Sequence, residues 1–389
     1  KNTTHERNMH SNTIKGHKVL FLRQVDDFAV ACTQENICEE VITAIGKQLT
    51  VPLHLLGRIT KFNGVDVTQA KHYIKVSCQT YIDKILDHHQ WQETITQHNP
   101  IPMRDDSKYQ TELETATPPT IDEAKALQHA HFNCRQAIGE AICAMVTCRP
   151  DISHAIIKLS QHSTNPAAIH YQAVRHVFRY LALTKRKGIH YWRLNPNKLL
   201  DNINEEQPVT DSERLSKFPN PIDNTHTHSH VDSDWGNDKA HRRSVTGMAH
   251  MMAGGVIAYK SKCQATVALL STEAEFTAAA EAGKTILHIR SILQELGYPQ
   301  YNPTTLYIDN QGALFMANAE QPTRRTRHME TKTFAIQNWT KEEKLVLKDV
   351  NTQNNAADHF TKALGRTKFY EQTDIIMGRR QPIWTKRPR

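Results

Sequence analysis

"HTHSHVDSDW", residues 226–235, opens the part of the chain that settles the architecture. It reads as a strand whose end carries two carboxylates, Asp232 and Asp234. The pattern beyond it is α/β. "SVTGMAHMMA" and "VIAYKSK" flank Gly254 and Gly255 and predict a hairpin with a Gly-Gly turn. "TEAEFTAAAEAGKTILHIRSILQELG" predicts one long helix stopped by Gly297. "TTLYID" reads as a strand, with Asn310 placed to cap the next helix. "HMETKTFAIQNWTKEEK", "LVLKDV" and "NAADHFTKAL" continue as helix, strand and helix.

Four acids hold telling places in this series. Asp232 ends the first strand, Glu275 lies in the first turns of the long helix, Asp309 ends a later strand, and Asp358 opens the final helix. Strand ends and helix N-termini can converge at one edge of a sheet. Four carboxylates there repel one another unless divalent cations neutralise them, and an all-oxygen, histidine-free ligand set suits Mg²⁺ or Mn²⁺. Two such ions about 4 Å apart activate a water and stabilise the leaving oxygen of a phosphodiester.

Upstream, residues 194–225 are polar, Pro-bearing and without periodicity, and read as a flexible tether. Residues 122–184 are mostly helical. Ile169, Ala173, Val177 and Leu181 recur four apart on one face, and Arg175 and Arg179 share another, either a solvated charged face or a phosphate-tracking strip. A polar, Pro-containing stretch at 92–121 reads as a linker. "ITKFNGVDV" and "HYIKVSC" read as a strand pair before the helix "QTYIDKILDHH". Near the start, "KVLFLRQV" and "DFAVACT" form a hairpin with Asp26 and Asp27 at its turn, followed by a helix over 36–48.

Length and charge bound the partners. A chain of 389 residues holds two or three domains, and its net charge of +8 favours polyanions such as nucleic acid. No span approaches the roughly 20 apolar residues of a membrane helix, and no signal peptide is visible, so no membrane partner is expected. The seven cysteines include no CxxC pair and read as reduced thiols of an intracellular protein, in a cytoplasmic particle or the nucleus. Cys134, Cys143 and Cys148 are expected to pack as small apolar groups. The chain opens on Lys1 and reads as a fragment or processed product.

"VDSDWG", "RRSVTG", "STEAEF", "IDNQGAL", "TRHME" and "NAADHFTKAL" occur in this order. As an ordered set they closely resemble the RNase H domain of copia-type LTR-retrotransposon polyproteins. "QVDDF" resembles the YVDD hairpin of their reverse transcriptase and "LLGRITKFNGVDV" the segment after it. "CRPDISHAIIKLSQHS" and "AVRHVFRYLALT" resemble the helical connection. The resemblance implies an α+β and α/β multidomain chain: a truncated reverse-transcriptase palm and start of thumb (1–121), a helical connection (122–193), the linker (194–225), an RNase H-like mixed-sheet domain (226–370) and a basic tail (371–389).

It also implies a Pol fragment, attached to the remainder of the polyprotein, that binds two Mg²⁺ ions (or Mn²⁺) through Asp232, Glu275, Asp309 and Asp358. The domain would then cut the RNA strand of an RNA–DNA hybrid, leaving a 3′-hydroxyl and a 5′-phosphate. Asp232 is taken over Asp234, and Glu275 over Glu273, because they match the family's positions. Arg242 and Arg243 match the family's basic turn, where they meet a phosphate or balance nearby acids. Asp26 and Asp27 are two-thirds of a polymerase site. The third carboxylate and the fingers have no counterpart here, and Gln24 replaces a tyrosine. The alternative is an inactive remnant that still binds nucleic acid. His226, His228 and His230 alternate before Asp232, either as a transition-metal site or proton shuttle or, preferably, as a polar strand edge. Residues 351–355 hold no counterpart to the mobile histidine of related nucleases; His359 lies just after Asp358.

Overall fold

The computed structural model describes residues 3–49, 53–70, 72–91, 101–193, 226–236, 242–318 and 330–379. The expected tether at 194–225 and the end of the basic tail, 380–389, lie outside them. The described residues are mixed α and β, with three sheets among them.

The first sheet is antiparallel, ordered β1 (Met9–Ile14), β2 (His17–Gln24), β3 (Asp27–Cys32), and is followed by α1 (Glu35–Gln48). Gln24 pairs with Asp27, which leaves Val25 and Asp26 as the turn. Val25 is 81% exposed and sits at φ 52°, a left-handed conformation that a β-branched residue rarely adopts. Strand β1 escapes a reading of the sequence because "MHSNTI" has apolar residues only at its ends.

The second sheet runs β4 (Lys61–Phe62), β5 (Val65–Gln69), β6 (Tyr73–Ser77), β7 (Gly188–Trp192). Its last strand therefore comes from beyond the helical segment. That segment comprises α2 (Gln79–His88), α3 (Ser107–Thr115), α4 (Ile121–Ala130), α5 (Cys134–Thr147), α6 (Ser153–Ser160) and α7 (Ala168–Leu183). The stretch expected to be a linker contains α3. Asp106 caps it by accepting from the Tyr109 N–H, and Leu113 anchors it in the core. Cys134 and Cys148 are buried as expected, whereas Cys143 is exposed.

The third sheet is mixed and five-stranded, ordered β10 (Gly255–Cys263), β9 (Val245–Met252), β8 (His228–Asp234), β11 (Thr304–Ile308), β12 (Leu345–Asp349). Strand β8 runs antiparallel to β9 and parallel to β11, which in turn runs parallel to β12. Helices α8 (Ser271–Glu295), α9 (Gln311–Asn318), α10 (Glu330–Lys341), α11 (Asp358–Thr361) and α12 (Arg366–Ile376) complete it. The hairpin turn is Ala253-Gly254, at φ 52° and 87°, not Gly254-Gly255. Gly255 already pairs with Met252, and a Cβ there would meet the His190 carbonyl oxygen at 2.5 Å.

Two cores result. Val231, Met248, Phe276, Leu306 and Ile336 join α8 and α10 to one face of the third sheet. The other face is covered from upstream: Ile82, Ile156, Phe178 and Leu181 of the helical segment share one core with Ala249, Met251, Phe360 and Met377. Backbone bonds reinforce this, from the His190 N–H to Met377 and from the Trp192 N–H to Ala253. Among the described residues, no helix is long and apolar enough to cross a membrane.

His154, His190 and His250 are buried in these layers. Burial lowers their pKa values to about 3, about 4 and about 4. A base whose folded pKa is depressed lends stability that is full above its ordinary value and is lost as pH falls toward the folded value. In urea denaturation, His250→Gln should make the loss between pH 7 and pH 5 shallower than the parent's by about 2 kcal/mol. Equal slopes would show that His250 titrates normally in the fold.

Candidate active site

The sheet brings acids from four elements to one edge. Strand β8 carries Asp232, which is 3% exposed, and β11 delivers Asp309 just past its end. Helix α11 opens on the fully buried Asp358, and α8 contributes the buried Glu275 one turn inside its N-terminus. Carboxylate oxygens of Asp232, Asp309 and Asp358 lie within 4.8 Å of one another. Glu275 accepts the Ser233 backbone N–H, and its charge acts on the same group. Glu273, the competing acid, instead accepts the Leu269 N–H at 2.7 Å and caps the start of α8. Asp234 is half-buried two residues beyond Asp232 on the same strand.

Crowding leaves its mark on the titration. Burial first, and then the charge of Asp358, pushes the Asp232 carboxyl up to about 8. Burial, with Asp232 and Asp309, pushes Glu275 up to about 10, and burial with Asp358 raises Asp309. Two lysines offset part of the negative charge. Lys362 Nζ lies 2.8 Å from Asp358 Oδ1 and 3.5 Å from Asp232 Oδ2, and Lys368 contacts Asp358 Oδ2. Burial opposes a charge on Lys362, but Asp232 and Asp358 outweigh it and hold its pKa above the usual lysine value. Glu275 Oε2 is buried and has no hydrogen-bond partner among the described residues. An all-carboxylate donor set with an orphaned buried oxygen fits a hard divalent cation, which would meet oxygen ligands here.

The backbone around Asp358 is held from several sides. Asn355, fully buried, donates from Nδ2 to the Val231 carbonyl at 2.9 Å and accepts the Ala357 N–H. The Thr361 hydroxyl donates to Asp232. Behind the helix, His359 Nε2 lies 3.2 Å from the Asp151 carbonyl oxygen, so His359 faces away from the acids. Gly247 stands opposite Asp232 in the register, where a Cβ would meet the Ala357 carbonyl oxygen at 2.7 Å and Thr361 Cγ2 at 2.6 Å. Gly247→Ala should therefore push α11 away from β8. Roughly 1–3 kcal/mol of stability should be lost, together with affinity for divalent ions in a Mn²⁺ titration. Unchanged Mn²⁺ affinity would show that this close approach does not set the site.

The remaining residues singled out in the sequence fall elsewhere. Arg242 and Arg243 are exposed just before β9, whose first residue, Val245, pairs with Asp234 at the end of β8. Arg175 and Arg179 are half-buried on α7, with the Arg175 guanidinium 4.1 Å from the centre of the Trp91 ring. They pack against an aromatic surface and do not form an open strip. Asp26 and Asp27 are exposed at their hairpin turn, and no carboxylate among the described residues joins them in a metal-capable cluster. His226 is exposed, His228 is half-buried and His230 is buried with its ring stacked on Tyr307, so the three do not converge on one ion. Lys362, Lys368, Gly247 and Asn355 were not singled out from the sequence. Only Lys362 carries a local signal, four residues after Asp358 on the same helical face.

No protein-family profile matches the chain. It is 27% identical over 353 residues to a retrovirus-related Pol polyprotein from transposon TNT 1-94 of Nicotiana tabacum, covering 90% of this chain and 24% of that protein. It is 31% identical over 221 residues to the corresponding polyprotein from transposon RE1 of Arabidopsis thaliana, covering 57% and 13%. It is 33% identical over 146 residues to secreted RxLR effector protein 161 of Plasmopara viticola, covering 38% and 83%. The chain thus spans about a quarter or less of the length of the two polyproteins.

Proposed function

We propose that this chain, which belongs to the retrovirus-related Pol polyproteins of copia-type transposons, is a Mg²⁺-dependent ribonuclease H that cuts the RNA strand of an RNA–DNA hybrid. The observation that carries this reading is the convergence of Asp232, Asp309 and Asp358 within 4.8 Å at one edge of a mixed sheet. When bound, Mg²⁺ supplies an acidified water and positive charge against the phosphodiester. Asp232 and Asp358 form two walls of the site and Asp309 the third, while Glu275 closes it from α8. Lys362, with 36% of its side chain exposed, can turn from the carboxylates to a phosphate oxygen of a bound strand. Arg242 and Arg243, exposed before β9, and the half-exposed Trp235, after β8, would offer phosphate contacts and a stacking surface.

The same reading gives the polymerase portion no synthesis of its own. Asp26 and Asp27 stand exposed on their turn without a third carboxylate among the described residues. The rest of the polyprotein is its natural partner, inside the cell in a cytoplasmic particle or the nucleus, and residues 194–225 serve as the connection to the nuclease part. The test is a purified chain with a labelled RNA–DNA hybrid, with and without Mg²⁺. The RNA strand alone should be cut, leaving 3′-hydroxyl and 5′-phosphate ends, while duplex DNA and duplex RNA stay whole and a primed template is not extended. Tight hybrid binding with no cleavage at any Mg²⁺ concentration would instead make the chain a nucleic-acid-binding remnant.

A further inference from the structure

Away from the acids, four polar side chains close a ring between α2 and α5. His88 ends α2 and His89 follows it, while Gln136 and Glu140 stand one turn apart on α5. His89 Nε2 lies 2.6 Å from Glu140 Oε2. Gln136 Nε2 lies 3.0 Å from Glu140 Oε1 and 3.2 Å from His88 Nε2. The last contact makes His88 Nε2 an acceptor, so its lone pair points into the ring. Donor atoms of His88, His89 and Glu140 all lie within 4.8 Å of one another.

The ring is partly preorganised. The His89 imidazole is stacked on Trp91 with centroids 4.2 Å apart, and its edges meet Phe132 and Phe178. Its side chain is only 8% exposed and that of Glu140 18%, so their orientations are fixed by packing. His88 and Gln136 are exposed and leave a path from solvent.

We infer that His88, His89 and Glu140 form a binding site for a borderline transition ion, Zn²⁺ foremost, that clamps α2 to α5. Two imidazoles and one carboxylate suit Zn²⁺ and disfavour Mg²⁺, which takes oxygen ligands. Gln136 Oε1 or a water supplies the fourth position. A tetrahedral Zn²⁺ places its donors about 3.4 Å apart. The 2.6 Å contact between His89 and Glu140 would need to open by about 0.8 Å, and the exposed His88 can swing to complete the set. The site is independent of the carboxylate cluster. It would brace two helices of the helical segment, α2 and α5, that lie more than forty residues apart in the chain.

The test uses the chelator-treated full chain in saturating Mg²⁺, with Zn²⁺ as the probe. One equivalent of Zn²⁺ should bind in the micromolar range or tighter and raise the thermal midpoint. His88→Ala, chosen because His88 is exposed and the fold does not need it, should weaken binding at least about tenfold, as should Glu140→Gln. Asp232→Asn should leave Zn²⁺ binding unchanged. Zn²⁺ should also alter Trp91 fluorescence, and that change should vanish in Trp91→Phe while binding persists. Absence of stoichiometric binding would overturn the assignment. So would binding that survives both His88→Ala and Glu140→Gln, since the ion would then sit elsewhere among the chain's histidines.

Discussion

Asp232→Asn is expected to lower the rate of RNA-strand cleavage by roughly 10²-fold or more and to leave hybrid affinity within about twofold. The substitution keeps the shape of a side chain that is 3% exposed and accepts from the Thr361 hydroxyl. It removes only the charge. In the metal-free protein, burial and then the charge of Asp358 push the Asp232 carboxyl up, so its negative charge is unfavourable there and asparagine removes it without loss of shape. The variant should therefore be as stable as the parent without metal, or more so. The extra stability that Mg²⁺ confers on the parent should be absent. Affinity should persist because phosphate contacts by lysine and arginine dominate it. Unchanged cleavage would remove Asp232 from the reaction and put Asp234 in its place. A collapse of metal-free stability would mark Asp232 as a structural residue.

Arg149→Met should cost roughly 3–5 kcal/mol, a large share of a typical domain's stability. Arg149 and Asp151 are both essentially inaccessible and form a two-pronged pair, with Nε and Nη2 donating to the two carboxylate oxygens at 2.9 and 2.8 Å. Arg149 also donates to the Thr184 carbonyl and hydroxyl, and the Tyr180 hydroxyl donates to Asp151 at 2.6 Å. Burial favours a protonated Asp151, but Arg149 overrides it, with help from Lys187 and Tyr180, and holds the carboxyl at about 2. Removing the guanidinium strands a buried carboxylate. Arg149→Met with Asp151→Leu should recover part of the loss, because no charge is left behind. The measurement is denaturant unfolding of parent, single and double variants. A loss under about 1 kcal/mol in the single variant would mean that water reaches the pair. Because the Asp151 carbonyl also meets His359, beside Asp358, the single variant should in addition lose Mn²⁺ affinity.

The acids of the third sheet were legible because each follows an apolar strand or opens a helix, positions that local pattern reports well. The same holds for the hairpin at Asp26 and Asp27, the stop at Gly297 and the cap at Asn310, which accepts the Ala313 N–H. Strand β7 was not legible. "GIHYW" has no alternation, and its partner β6 lies more than a hundred residues upstream, a pairing that leaves no local trace. Arg149 lies in "CRPDISHAIIKLSQHS", and nothing in its neighbours tells a fully buried arginine from a surface one. Arg175 and Arg179 looked like a charged strip because helical periodicity gives the direction of a side chain and not what packs over it. Lys362 was hidden by ambiguity of role, since a lysine four residues after an aspartate is usually a surface pair.

The apolar layer that runs from the upstream helices to the third sheet ties the heredity of the two parts together. Residues 194–225 are expected to connect the two parts. Here a join at that place would set another lineage's helices against Ala249, Met251 and Phe360. It would also test whether His190 still presents its backbone to Gly255. Chimaeras of two divergent relatives joined within 194–225 should lose stability, while chimaeras that carry residues 79–379 as one block should keep it. Equal stability in both sets would mean that this layer tolerates strangers. Otherwise selection acts on the helices and the sheet as a single inherited unit.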